Sequence, residues 1–168
     1  AETELILSPE KKIYHLNLSK EEIANNILLV GDPDRVQLIS SKFDTIEHKA
    51  QNREFVTHTG TLKGKRISAI STGIGTDNID IVINELDALV NINFDTRTVN
   101  PEKKSLNLIR LGTSGALQTN IEVDTFLASS FGLGFDNVAH FYSETKVIEK
   151  EMAKLYSKHA DWPKELSS

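Results

Sequence analysis

The chain has 168 residues, of which 39% are hydrophobic and 26% charged, and its formal net charge is −5. These are the proportions of one soluble globular domain able to bury a core, and the acidic surplus argues against non-specific binding to nucleic acid or an anionic membrane. Cysteine is absent, which excludes disulfides and thiolate metal sites.

No apolar run approaches the roughly 18 residues of a transmembrane helix. Residues 1–12 are polar, without the basic start and apolar stretch of a signal peptide. The expectation is a cytoplasmic protein.

Residues 27–30 are a short apolar run that stops at Gly31, and residues 34–43 follow with Val36, Leu38, Ile39 and Phe43 at helical spacing. That predicts strand, tight turn, helix, with Pro33 in the first turn, where its missing N–H costs nothing. Residues 55–62 and 66–71 alternate around Lys63-Gly64-Lys65, a hairpin pattern. After Gly73 and Gly75, the positions Ile79, Val82, Ile83, Leu86, Leu89 and Val90 mark an amphipathic helix, which Asp77 or Asn78 could cap. Residues 95–104 are polar, contain Pro101 and predict a surface loop. A strand over 106–111 then stops at Gly112-Thr113-Ser114-Gly115, a further strand is expected over 123–130, and a helix from 147 to about 159. Strands alternating with helices, around one antiparallel hairpin, predict an α/β fold with a mixed sheet.

Two segments share one design. In Val30-Gly31-Asp32-Pro33-Asp34-Arg35 a strand ends at a glycine, a helix begins, and an arginine lies one turn in. A helix start offers free N–H groups to an anion, and a guanidinium adds bidentate contacts. In Arg110-Leu111-Gly112-Thr113-Ser114-Gly115 the arginine sits at the strand end before a glycine turn with two hydroxyls. If the two strands are parallel, both turns lie at the carboxyl edge of the sheet, where α/β folds bind ligands. Turn chemistry alone also accounts for each segment taken singly, and neither is a Walker A loop or a dinucleotide fingerprint.

Ser71-Thr72-Gly73-Ile74-Gly75 is a third glycine turn, explained equally by close packing or by ligand contact. Arg53 reads by itself as a solvated residue, and His15 as a polar residue of a terminal segment. His48, His58, His140 and His159 show no metal spacing.

Together these segments resemble the nucleoside phosphorylase family, whose members share a central mixed-sheet barrel flanked by helices. The matching pieces are Tyr14-His15-Leu16, Val30 to Arg35, Arg53-Glu54-Phe55, Ser71 to Gly75 and Arg110 to Gly115, in the family's order. Arg53-Glu54-Phe55 and Thr113 after Gly112 resemble the uridine phosphorylase branch.

The resemblance implies reversible phosphorolysis of uridine to uracil and ribose 1-phosphate, with inorganic phosphate as co-substrate and no other required cofactor. Gly31, Arg35, Arg110 and Thr113 would hold phosphate, with Arg35, Arg110 and Thr113 as the catalytic set. Arg53 would complete that site from the neighbouring subunit of a homodimer or higher oligomer, and His15 would reach across to the ribose 5′-hydroxyl. Glu54, the Ile74 carbonyl and Asn78 match positions that bind K⁺ or Na⁺ at the subunit interface in some relatives. Asn78 stands where those relatives carry serine.

The chain departs from the family at Thr76-Asp77-Asn78 and in a longer loop over 94–105. It is also short, so residues 1–168 read as one incomplete domain. The groups that grip ribose and base would then belong to a missing C-terminal segment, either a separate chain of the same protein or a part beyond this one. Purine nucleoside phosphorylase and nucleosidase activity on the same fold are alternatives. A nucleosidase uses water and has no need of Arg35, Arg53 and Arg110. A non-catalytic anion-binding relative is the reading from a different class.

Overall fold

The computed structural model describes residues 4–136, 138–143 and 148–160. Strand β1 (Asn26–Val30) ends at Gly31 and gives way to helix α1 (Pro33–Ser40). Pro33 opens the helix, and the Asp32 side chain caps it by accepting the Asp34 N–H at 2.9 Å.

Strand β2 (Thr45–Asn52) follows, then β3 (Phe55–Leu62) and β4 (Lys65–Ser71). Lys63 and Gly64 between β3 and β4 both have positive φ, 49° and 74°, the geometry that matches a hairpin turn to the strands' twist. Helix α2 (Thr76–Asn91) comes next. The short strands β5 (Ile92–Asn93) and β6 (Thr98–Val99) form a small hairpin, β6 within the expected surface loop and β5 just before it. Strand β7 (Asn107–Leu111) then returns to the main sheet.

The main sheet has the order β2-β3-β4-β1-β7. β1 pairs in parallel with β4 on one edge and β7 on the other, while β2, β3 and β4 run antiparallel in sequence. The mixed α/β architecture expected above is therefore present.

Alternation along the strands splits the core in two. Ile27, Leu29 and Ile70 face a cluster made with Val82, Leu86, Leu89 and Val90 of α2 and with Ile13, Leu16 and Leu18 of the N-terminal segment. Val30 and Ala69 face the other way, onto Val36 of α1.

Two expectations differ from the structure, and one strand lies where none was expected. Residues 45–52 form β2 although their pattern is polar, because a strand at the sheet's edge keeps most of its side chains in water. Residues 123–130 form no strand. Val123 and Phe126 are fully exposed there, and among the described residues no strand pairs with them, so β-propensity has nothing to act on. Helix α2 is not capped by Asp77 or Asn78. Its N-cap is Gly75, at φ 98°, and both residues lie inside the first turn.

Residues 129–160 form a separate unit. Within it lie a short 3-10 turn (Val138–Phe141) and helix α3 (Lys150–Ala160), with the Phe135 and Tyr156 rings edge to face at 5.8 Å. The expected start of this helix at Val147 falls outside the described residues.

Candidate functional site

Register brings the glycine turns together. Val30 is paired with Ser71 on one side and Leu111 on the other. The residues that follow each of these, Gly31, Thr72-Gly73 and Gly112, therefore emerge at the carboxyl edge of three adjacent parallel strands. The Thr72 N–H donates to the Val30 carbonyl at 2.8 Å and carries the pairing past the end of β4.

Arg110 closes this edge. It sits beside Leu29 in the ladder, and its guanidinium lies over the glycines. A Cβ on Gly31 would stand 3.6 Å from Arg110 Nη2 and 3.6 Å from the Gly73 carbonyl oxygen, and a Cβ on Gly112 would stand 3.1 Å from Arg110 Nη1. At Gly31 these are ordinary contact distances, whereas at Gly112 a side chain would press on the guanidinium. Thr113 follows Gly112 and is exposed, as is Arg110 itself. Arg35 is half-buried in the first turn of α1, its N–H bonded to the Asp32 carbonyl at 3.2 Å.

A second group sits on the same edge, at the turn between β2 and β3. Arg53 is exposed and holds φ 53°, a left-handed conformation uncommon for a residue with a side chain. The Ser71 hydroxyl anchors this turn, donating to the Glu54 carbonyl at 2.6 Å while accepting the Val56 N–H at 2.7 Å.

Asn78 Nδ2 donates to Glu54 Oε1 at 3.0 Å and to the Ile74 carbonyl at 3.1 Å. Both partners are acceptors, so the amide must present its NH₂ group to them. The three residues expected at a K⁺ or Na⁺ site are brought together, with the amide nitrogen of Asn78 between the two oxygens. To share a cation with these oxygens the amide would turn to present Oδ1. Gly73, at φ 69°, fits beneath this bridge, where a Cβ would come within 2.7 Å of Asn78 Nδ2 and 2.8 Å of Glu54 Cγ.

His15 belongs to a third group. Its ring Nδ1 is 2.7 Å from Glu85 Oε1, and Asn52 Nδ2 donates to the His15 carbonyl at 3.0 Å. The imidazole packs edge-on to Phe55 at 6.3 Å, next to the turn that carries Arg53. Sequence reasoning missed Glu85 and Asn52. Glu85 contacts a segment 70 residues away, a partner no local pattern reveals.

The structure thus gathers Gly31, Arg110 and Gly112 with Gly73 at one point, and Glu54, Ile74 and Asn78 at another. His15 sits with Glu85 and Asn52, apart from the direct contacts of Arg110.

Known proteins are similar to this chain in sequence and fold. Residues 26–160 match the model of the phosphorylase superfamily. A uridine phosphorylase from Thermococcus kodakarensis is 36% identical over 129 residues, covering 77% of this chain and 42% of the relative. A DeoD-type purine nucleoside phosphorylase from Alkaliphilus metalliredigens is 40% identical over 118 residues, covering 69% of this chain and 45% of the relative. The crystal structure of a Trypanosoma brucei nucleoside phosphorylase with uridine phosphorylase activity superposes with a TM-score of 0.77 at 30% identity, over 92% of this chain and 53% of that one. The chain spans about half the length of the relatives it matches. Motif order, sheet topology and this match agree: the chain belongs to the phosphorylase superfamily.

Proposed function

We propose that this chain carries the phosphate-binding part of a nucleoside phosphorylase whose substrate is uridine. The observation that supports this most is the Arg110 guanidinium lying against Gly31 and Gly112 at the carboxyl edge of β1 and β7. A cation held beside two glycine turns, with the Thr113 hydroxyl adjacent in sequence, is a site for a small tetrahedral anion. Arg35 would add a second guanidinium. Asp32 is a constraint on this picture: its carboxylate already takes one N–H at the start of α1, so the anion is held by the arginines and the glycine turns more than by that helix end.

In the reaction, a phosphate oxygen attacks the anomeric carbon while the bond from that carbon to the base breaks, its electron pair leaving with the base. Phosphate is a competent nucleophile without a general base, so placement carries most of the catalysis. Its negative charge, fixed below the sugar, stabilises the cationic character that develops on the ribose. Arg53 and His15 would serve the neighbouring subunit of a homodimer, and their position on one flank, around the turn between β2 and β3, suits delivery to a partner. No monovalent cation enters this reading.

The groups that grip ribose and base would come from a C-terminal part outside this chain. β7 supports this, because Leu108, Ile109 and Leu111 leave 37%, 57% and 43% of their surface exposed.

Uracil release from uridine tests the reading. The full-length protein should release uracil only when phosphate is present, while this chain alone should bind phosphate and release none. Arg110→Ala should lower kcat/KM by about 2–4 kcal/mol, roughly 30- to 700-fold. Normal turnover in that variant removes Arg110 from the site. Phosphate-dependent cleavage of inosine in place of uridine would move the chain to the purine enzymes, which the 40% identity to a DeoD-type relative makes the second reading.

A further inference from the structure

The segment carrying His15 is held from both sides by side chains of two different elements. Glu85, in the third turn of α2, accepts three donors on one carboxylate. Its Oε1 takes the His15 backbone N–H at 3.0 Å and lies 2.7 Å from ring Nδ1, and its Oε2 takes the Leu16 N–H at 2.9 Å. Asn52, the last residue of β2, donates from Nδ2 to the carbonyls of Tyr14 at 3.1 Å and His15 at 3.0 Å. The imidazole is then set edge-on to Tyr14 at 5.0 Å and to Phe55 at 6.3 Å. The Glu85 side chain is 13% exposed and that of His15 is 27% exposed.

These contacts decide the ring's chemistry. An ionised carboxylate only accepts hydrogen bonds, so the hydrogen of a neutral imidazole must sit on Nδ1. The hydrogen bond at one ring nitrogen fixes the role of the other, and Nε2 becomes a lone-pair acceptor. Among the described residues Nε2 has no hydrogen-bond partner. The assembly therefore presents an oriented acceptor, built to receive a hydroxyl.

We propose that Glu85 is a positioning residue that holds His15 as its Nδ1–H tautomer, so that Nε2 accepts a hydrogen bond from the ribose 5′-hydroxyl. This rests on the assignment of His15 to the ribose in the reading above. It also gives a reason for an acceptor at position 85. Glu85→Ala removes the acceptor at Nδ1 and frees the ring to take the Nε2–H form that an unpartnered imidazole favours, which makes Nε2 a donor. Gln would not do so, because its amide oxygen would keep the place shared by Nδ1 and the His15 N–H.

Two measurements separate this from a merely structural clamp. Two-bond proton–nitrogen NMR at mildly alkaline pH reads the tautomer directly. His15 should be Nδ1–H in the wild type and shift toward Nε2–H in Glu85→Ala. In the full-length protein, kcat/KM for uridine over 5′-deoxyuridine should fall by about tenfold in the variant, with 5′-deoxyuridine itself turned over much as before. A clamp with no role at the hydroxyl would slow both substrates alike. If the wild type does not distinguish the two substrates, the ribose assignment of His15 fails, and the tautomer result still reports whether Glu85 sets the ring. An Nε2–H imidazole in the wild type overturns the proposal even if Glu85→Ala does not fold. So does a folded variant that keeps its preference for uridine. Asn52→Ala, which loosens the segment without touching Nδ1, should retain the Nδ1–H form.

Discussion

β1 and β7 carry the same kind of sequence, Asn-Ile-Leu-Leu-Val and Asn-Leu-Ile-Arg-Leu, in one parallel register, yet they meet opposite surroundings. In β1, Ile27, Leu29 and Val30 are 1–3% exposed. β1 has β4 and β7 on its edges and α1 and α2 on its faces. β7 pairs with β1 alone among the described residues, and every one of its residues is exposed. Burial is supplied by neighbours, not by the strand's own composition. A parallel strand rich in aliphatic residues on both faces is written for cover on both sides, and in β7 that cover is what the proposed C-terminal part would provide.

The sharpest way to break the comparison is to delete the same atoms from both strands. Ile27→Ala should cost about 2–5 kcal/mol in urea unfolding, as large-to-small changes in a closed core do. Ile109→Ala, at 57% exposure, should cost under about 0.5 kcal/mol in this chain. In the full-length protein the second value should climb toward the first. If it stays small there, β7 is not covered by the remainder and the proposed completion of the site fails with it.

The glycine turns sharpen the same contrast at smaller scale. Gly73 follows β4 at φ 69°, beneath the bridge from Asn78 to Glu54, and Gly73→Ala adds a clash to a strained backbone. The expected cost is about 1–3 kcal/mol. Gly115 lies beyond β7 with open space where its Cβ would go, so Gly115→Ala should change stability by less than about 0.5 kcal/mol. Thermal melts of the two variants side by side would show it. Equal losses would mean that the turn after β7 is packed as tightly as the turn after β4.

What could be read from the sequence follows the same division. β1, the β3–β4 hairpin, α2 and β7 were legible because apolar periodicity reports faces that want burial, satisfied or not. β2 was not, since Thr45 to Asn52 is an edge strand held by its ladder to β3 and has few apolar side chains to report. The run at 123–130 misled for the converse reason: it has strand-forming residues without a strand to pair with. At the site, the glycine turns and Arg110 could be placed as soon as the strands were taken as parallel. Asn78 looked like a cap because it opens a helix. Its amide is instead committed to Glu54, 24 residues earlier, and Glu85 and Asn52 reach His15 over distances at which sequence patterns carry no information.

The packed side also buries a titratable group, which β7 does not: the one ionisable side chain of that strand, Arg110, is exposed. His58, on β3, is 7% exposed, with Nδ1 2.7 Å from the Ser40 hydroxyl. Burial first, and the charge of Lys49 second, hold its pKa below the ordinary 6.5. Below 6.5 the unfolded chain takes up a proton that the folded chain still refuses, so the unfolded state binds more protons and stability rises with pH across that interval. The contribution is complete above 6.5 and is lost as pH falls from there toward the lowered folded value. Glu22 acts in the same direction further down. Burial opposes its charge, but Lys12, the Ser19 N–H and His48 outweigh that and bring its pKa below 4.5. Urea midpoints should therefore fall between about pH 7 and pH 5, before Glu22 contributes. His58→Asn, which keeps a polar partner for Ser40 and cannot titrate, should flatten the slope in that interval and leave the lower one in place. An unchanged slope would mean that the pH sensitivity of the packed side does not come from its buried histidine.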